Sequence, residues 1–277
     1  MFARRSLQSL KLLKNYSTGT STVNAVVDEL GIATVTLQNA PVNSLNLKLV
    51  TELSDTLNSL EKNKSRGLIL KSFSDKVFSA GIDLFELYKP KEDRMKQYWT
   101  ALQDCWINLY GFSAPTVACI NGHAPAGGCL LSLCCEYRVM LKDRTIGLNE
   151  TKLGIVAPPW FIASMENVIG RRQSELALTS GKMFTTEEAL RVGLIDEIAE
   201  DSEDAINKSR AFFKLFEKVA PSARSATKHL IRKKTIQDLV QNREADLNLF
   251  CKTVMQERVQ QGLELYIKSL KKGQTSG

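Results

Sequence analysis

Apolar and polar positions change periodicity several times along the chain. Residues 23–29 and 32–37 are β-rich runs on either side of Gly31, which predicts a hairpin, and Pro41 stops the second run. Beyond Asn46, a residue able to cap a helix, Val50, Leu53, Leu57 and Leu60 recur at helical spacing, and residues 67–71 read as the next strand. This alternation of strand and helix points to an α/β architecture. Asp83 followed by Glu86 has the form of a capping box, predicting a helix start, and residues 91–111 read as a helix with Trp99 and Trp106 as packing aromatics. The uniformly apolar residues 116–120 predict a buried strand, and residues 129–135 a buried helix. Two short β runs, 137–141 and 145–148, lie around a charged turn and suit the edge of a sheet.

The pattern then becomes helical. Pro158-Pro159 closes a loop and Trp160 opens a helical run to residue 169. Further helices are predicted over 172–180, over 185–192 behind the capping box Thr185-x-x-Glu188, and over 202–219, 223–233 and 236–270. A β-rich first part and a helical tail therefore meet near residue 200, with no internal repeat.

With 277 residues and 43% hydrophobic content, the chain has enough apolar material for one domain with an appendage, and no apolar run approaches the length that spans a bilayer. Residues 1–20 contain Arg4, Arg5, Lys11 and Lys14, several serines, threonines and leucines, and no acid. This is the composition of a mitochondrial transit peptide, the alternative being a disordered basic arm. Those four cations reduce the formal charge of +7 to +3 on the remainder, which weakens a nucleic-acid reading. The clusters at 232–234 and 268–272 read as solvated helix faces or as partners for an acidic ligand. The six cysteines lie mostly in apolar runs without C-x-x-C spacing, as reduced core residues do, and two histidines make a zinc site improbable.

Three loops beside regular elements are candidates for chemistry. The Gly127-Gly128 pair at a strand-to-helix junction reads either as a tight turn or as an anion-binding corner, where backbone N–H groups approach a ligand. The Ala80-Gly81 loop and Glu150 are the other two; from spacing alone, Glu150 reads as one of many surface acids. Glu86 and Glu136 are rival acids, the first explained as a capping partner and the second as the charge closing a buried helical run. His123 has no serine or cysteine placed to complete a triad. Spacing does not show that the three loops converge.

Phe78-Ser79-Ala80-Gly81-Ile82-Asp83-Leu84, followed by Asn121-Gly122-x-Ala124-x-Ala126-Gly127-Gly128, closely resembles the paired signatures of the crotonase (enoyl-CoA hydratase/isomerase) superfamily. The resemblance runs from about residue 23 to the C-terminus. It implies a ClpP-like spiral of ββα units over residues 21–200 and a helical region over 201–277 that builds homotrimers. It also implies an oxyanion hole for an acyl-CoA thioester, made by the backbone N–H groups of Ala80 and Gly127. Substrate contacts are implied for Ala80, Gly81, Ile82, Asp83, Leu84, Gly127 and Asn149.

Hydratases of that family hold water between two glutamates. Here the first of those positions is Leu130 and the second matches Glu150, so the resemblance implies proton shuttling by Glu150. Residues 146–155, the following Ala157-Pro158-Pro159-Trp160, the segment Pro41-Val42-Asn43-Ser44-Leu45 and residues 241–246 all look like the double-bond-shifting isomerase branch; His123 and Pro159 depart from it. The implied activity converts cis or trans 3-enoyl-CoA to trans-2-enoyl-CoA in β-oxidation of unsaturated fatty acids in the mitochondrial matrix. No metal or redox cofactor is implied, CoA being part of the substrate, and neither a nucleic-acid partner nor membrane insertion is expected. The alternatives are a hydratase-like acyl-CoA enzyme, which Leu130 opposes, and a non-enzymatic RNA-associated relative.

Overall fold

The computed structural model describes Lys14–Asn15 and residues 21–274. The rest of the expected address segment at 1–20 lies outside the described residues. In chain order the strands are β1 (Lys14–Asn15), β2 (Val23–Val27), β3 (Ile32–Leu37), β4 (Gly67–Ser72), β5 (Thr116–Ile120), β6 (Ala124–Pro125), β7 (Tyr137–Leu141), β8 (Thr145–Gly147), β9 (Phe184–Thr185) and β10 (Glu197–Ala199). The helices are α1 (Leu47–Lys62), α2 (Glu92–Tyr110), α3 (Gly127–Cys134), α4 (Pro159–Ser180), α5 (Thr186–Arg191), α6 (Ser202–Phe213), α7 (Pro221–Val254) and α8 (Glu257–Gln274).

A seven-stranded sheet has the order β1-β2-β3-β4-β5-β7-β10, and a second sheet the order β6-β8-β9. The predicted hairpin is β2–β3, with Gly31 at φ 79°; from β3 onward the large sheet is parallel. The chain alternates between the two sheets: β5 is followed by β6 and α3, and β7 by β8, a short 3₁₀ turn and α4. This is the α/β spiral that the sequence led us to expect.

A parallel sheet covered on both faces requires strands apolar at every position, and alternation sorts their side chains into two cores. Leu68, Leu70, Ala118, Ile120 and Met140 point into the main core with α1, α2 and α3. Ile69, Val117, Cys119, Val139 and Leu141 point the other way, into a smaller core closed by Ala205, Phe212 and Phe213. The six cysteines are free, and all but Cys251 are buried.

Local expectations failed where a distant partner competed. The runs 137–141 and 145–148 do not share a sheet edge: β7 lies inside the large sheet between β5 and β10, and β8 is in the small one. The capping box at Asp83 and Glu86 forms only by half. Asp83 accepts the Phe85 N–H at 2.9 Å, but the Glu86 carboxylate leaves its own turn, and the helix stops after Leu84–Glu86. Glu86 instead accepts the Leu47 N–H at the start of α1 and a two-nitrogen contact from Arg94. The helices predicted over 223–233 and 236–270 are divided elsewhere, between α7 and α8, and those over 160–169 and 172–180 merge into α4 across a kink at Gly170.

Candidate active site

The loop after β4 carries the first cluster, and buried amides hold it in place. Asn43 donates to Ser72 Oγ (2.8 Å) and to the Phe78 carbonyl (3.0 Å), while its own oxygen accepts the Asn39 N–H. Asn121 clasps the same loop from the end of β5, accepting from Ser72 N–H and donating to the Ser72 and Ser74 carbonyls and to Asp75. Ser79 Oγ bonds the Asn43 carbonyl at 2.7 Å and accepts the Gly81 N–H. Buried polar groups satisfied this fully are costly to disturb, so the loop is rigid where a ligand would meet it.

The glycines bring the second cluster against the first. Gly122 leaves room for the backbone of Val77 and Phe78, and a Cβ on Gly128 would collide with the Ser79 carbonyl oxygen. A Cβ on Gly81 would lie 2.9 Å from the Gly127 nitrogen, and one on Gly127 would lie 3.3 Å from the Ile82 nitrogen. Gly127 and Gly128 are the first two residues of α3, where backbone N–H groups have no intrahelical acceptor. The two loops, forty-odd residues apart in sequence, are therefore packed backbone against backbone.

Which amides are free differs from the sequence expectation. The Ala80 N–H is not available to a ligand, because it donates to the Val42 carbonyl at 2.9 Å. The Gly81 N–H is taken by Ser79, and Asp83 N–H points at the Leu45 carbonyl. Ile82 N–H has no hydrogen bond among the described residues, and it lies beside Gly127. The neighbouring donors left without a partner among the described residues are thus Ile82 and Gly127, with Ala80 as the tether that holds the loop to residue 42. Leu84 opens the short 3₁₀ turn and its carbonyl accepts the Leu87 and Tyr88 N–H groups. Burial and the neighbouring Glu86 raise the Asp83 carboxyl above its ordinary range.

The third cluster is attached to the second by the small sheet. β6 pairs with β8, and the Ala126 N–H donates to the Gly147 carbonyl at 2.8 Å. Leu148 and Asn149 then lead into the 3₁₀ turn Glu150–Leu153, closed by Gly154 at φ 70°. Asn149 precedes that turn half-buried and makes no side-chain cap. Glu150 is only 6% exposed, and among the described residues neither carboxylate oxygen has a hydrogen-bond partner. Burial pushes its carboxyl up from the ordinary 4.5 to about 7. Cys129, in the first turn of α3, is its electrostatic neighbour, so Glu150 and the Gly127 helix share a locality. Leu130, next along that helix, is fully buried.

The rival acids are engaged elsewhere. Glu136 is gripped by Arg224 and Lys228 of α7; burial opposes its charge, but those cations outweigh it and hold the carboxyl below the usual range. His123 meets Thr145 at 3.0 Å across the β6–β8 connection, as a loop residue would. Among the described residues, no three His, Cys, Asp or Glu side chains are grouped to hold a metal, and no helix is long and apolar enough to cross a membrane. Asn43 and Asn121 lie in segments that the resemblance singled out, but nothing in the sequence marked their side chains as the amides that hold the loop.

Residues 28–274 match the family model described as enoyl-CoA hydratase/isomerase. Enoyl-CoA delta isomerase 1, mitochondrial, of Mus musculus is 43% identical over 245 residues, covering 87% of this chain and 84% of that protein. The crystal structure of human mitochondrial delta3-delta2-enoyl-CoA isomerase is similar with a TM-score of 0.89 at 39% identity, covering 91% of this chain and 99% of that one. That of enoyl-CoA hydratase from Bacillus halodurans gives 0.79 at 29% identity, covering 88% and 100%.

Proposed function

Because this chain belongs to the enoyl-CoA hydratase/isomerase family, we propose that it works as a Δ3,Δ2-enoyl-CoA isomerase, converting 3-enoyl-CoA to trans-2-enoyl-CoA in unsaturated fatty-acid β-oxidation. The observation that supports this best is the buried carboxylate of Glu150, unpartnered among the described residues and in the locality of the Gly127 helix start, with Leu130 where the family's hydratases carry their other acid.

Loss of a proton from carbon 2 of a 3-enoyl thioester leaves an anion spread over the thioester carbonyl and the double bond. Glu150 takes that proton, and the charge developing on the thioester oxygen is met by the N–H groups of Ile82 and Gly127. Such donors are each worth about 3–4 kcal/mol of barrier when pre-aimed. Glu150, now a neutral acid, returns the proton at carbon 4, and the double bond comes into conjugation. A carboxyl that titrates at about 7 suits a group that must both accept and donate near neutral pH. One proton leaves one carbon and joins another, so the reaction balances without oxidant, reductant or metal, and CoA enters as part of the substrate.

The mitochondrial naming of the relatives and the basic, acid-free residues 1–20 support a mitochondrial matrix location. Exposed apolar side chains on the helical region, among them Leu230 and Ile231, support assembly of copies into a homotrimer. The test is turnover of cis and trans 3-enoyl-CoA followed at the conjugated thioester. Glu150→Gln should still bind substrate and lose at least roughly a thousandfold in kcat, the scale of a general acid–base contribution. Retention of most activity would remove Glu150 from the mechanism, and hydration of 2-enoyl-CoA at a comparable rate would remove the isomerase assignment. Light scattering on the purified protein tests the trimer.

A further inference from the structure

We propose that Asp246, on the helical tail, is a positioning residue for Glu150 and acts through Trp160. The inference rests on the isomerase reading only for its kinetic part. Asp246 is half-buried on α7 and collects donors from two other helices. Its Oδ2 accepts the Trp99 indole N–H at 2.7 Å and the Gln103 amide at 2.8 Å, both from α2. The Trp160 indole N–H, from the first turn of α4, lies 3.3 Å from both carboxylate oxygens.

Neighbours on α7 lock the same junction. Arg243, one turn earlier, pairs with Asp104 at 2.8 Å and donates to Gln103 and to the Thr100 carbonyl. Phe250, one turn later, stacks on Trp99. Trp160 is packed edge-on against Trp99, Trp106 and Phe161, so its ring has no freedom to find another acceptor. A buried indole N–H is costly to leave unpaired, which makes Asp246 the element that fixes where Trp160 sits.

Trp160 in turn ends the segment that begins at Glu150. The 3₁₀ turn at Glu150–Leu153 is held on one side by Thr151 Oγ1 on the Leu178 carbonyl and folded back by the Ile155 N–H on the Glu150 carbonyl. After that the chain runs through an exposed Val156 to Pro158, with no side-chain hydrogen bond of its own among the described residues until Trp160 meets Asp246. The tail therefore sets the far anchor of the catalytic loop. Release of that anchor lets the Trp160 end of the loop shift by a few tenths of an ångström and water approach Glu150. The titratable neighbour of Glu150 is Cys129 of α3, and Asp104 and Arg243 flank Asp246; none of these contacts Trp160.

The experiment compares wild type with Asp246→Asn, Trp160→Phe and the double variant, using thermal melts, kcat across pH, and 13C titration of the Glu150 carboxyl assigned with Glu150→Gln. Asp246→Asn keeps the shape but replaces one acceptor with a donor facing indole N–H groups. The carboxyl midpoint, about 7 in wild type, should fall toward the ordinary glutamate value in both single variants. The acid limb of kcat should move with it, and kcat should fall roughly fourfold, as a displacement of a few tenths of an ångström does. In the Glu150 midpoint the double variant should shift no further than Trp160→Phe alone, since both changes cut the connection between Trp160 and the tail, whereas its melting temperature also carries the lost Trp99 and Gln103 contacts. A lower melting temperature with an unmoved Glu150 midpoint would reduce Asp246 to a staple of the tail and overturn the proposal, as would additive shifts of that midpoint from the two changes. The 13C titration needs no substrate, so a wild type inactive on 3-enoyl-CoA would count against the isomerase reading and leave this one decided separately.

Discussion

Gly127→Ala isolates the close approach of the two loops while leaving the amide donor in place. The added methyl would lie 3.2 Å from the Gly81 Cα and 3.3 Å from the Ile82 nitrogen, with Leu45 Cδ1 at 2.7 Å. Ordinary contact distances begin at about 3.5 Å, so the backbone of 81–82 must retreat by about 0.3 Å even after the Leu45 side chain turns away. That backbone resists, because Leu45 N–H holds the Gly81 carbonyl at 2.8 Å and Ser79 holds the Gly81 N–H. The stability cost is that of overpacking, about 1–3 kcal/mol. The catalytic cost follows from separating two donors that serve one oxygen. A misplacement of 1 Å is worth roughly a hundredfold, so about 0.3 Å is worth roughly fourfold, or about 0.8 kcal/mol. The assay is kcat on 3-enoyl-CoA, normalised to folded protein by circular dichroism. Gly262→Ala serves as control: its nearest contact is the Leu153 carbonyl at 3.8 Å, and alanine inside a helix is favoured by about 1 kcal/mol. A Gly127→Ala enzyme with kcat within twofold of wild type would refute the claim that Ile82 and Gly127 act on a single atom.

Other expectations follow from the same geometry. Glu150 binds its proton more tightly folded than unfolded, so its stabilising contribution is present below pH 4.5 and is lost as pH rises through about 7. A shift of that size is about 3 kcal/mol, so Glu150→Gln should melt like wild type near pH 4.5 and clearly higher at pH 8; equal melting at both would contradict the burial argument. Leu130→Glu places a second carboxyl at a fully buried position and should cost several kcal/mol in a denaturant titration, while conferring measurable hydration of 2-enoyl-CoA. Ala126 occupies φ 49° at the start of α3, so Ala126→Gly should raise stability by about 1 kcal/mol or leave it unchanged, with kcat preserved.

Much of this was legible locally. The uniformly apolar strands, the helical spacing behind Asn46, and the capping box at Thr185 and Glu188 appear in the structure as the pattern predicts, because each depends on residues within a few positions of one another. The glycines were recognisable by type, and the signature around them pointed to Glu150. What the local pattern could not contain was the outcome of competition between distant groups. Glu86 belonged by spacing to its own helix start, yet it spends its carboxylate on α1 and Arg94. Ala80 and Ile82 sit two residues apart in one loop, and only the fold decides that Val42 takes the first N–H and leaves the second free.

The same division runs through the chemistry. Residue types set what could act: one carboxylate, amides at a helix start, and no second acid at position 130. The tertiary structure decided which amides are left unpaired and how far burial lifts Glu150 from its ordinary pKa, and it brought the Asp246 carboxylate, almost a hundred residues later, to the Trp160 indole. Hydrogen bonding is exclusive and desolvation is collective, so the availability of a donor and the strength of a base are properties of the packed molecule and not of any stretch of its chain.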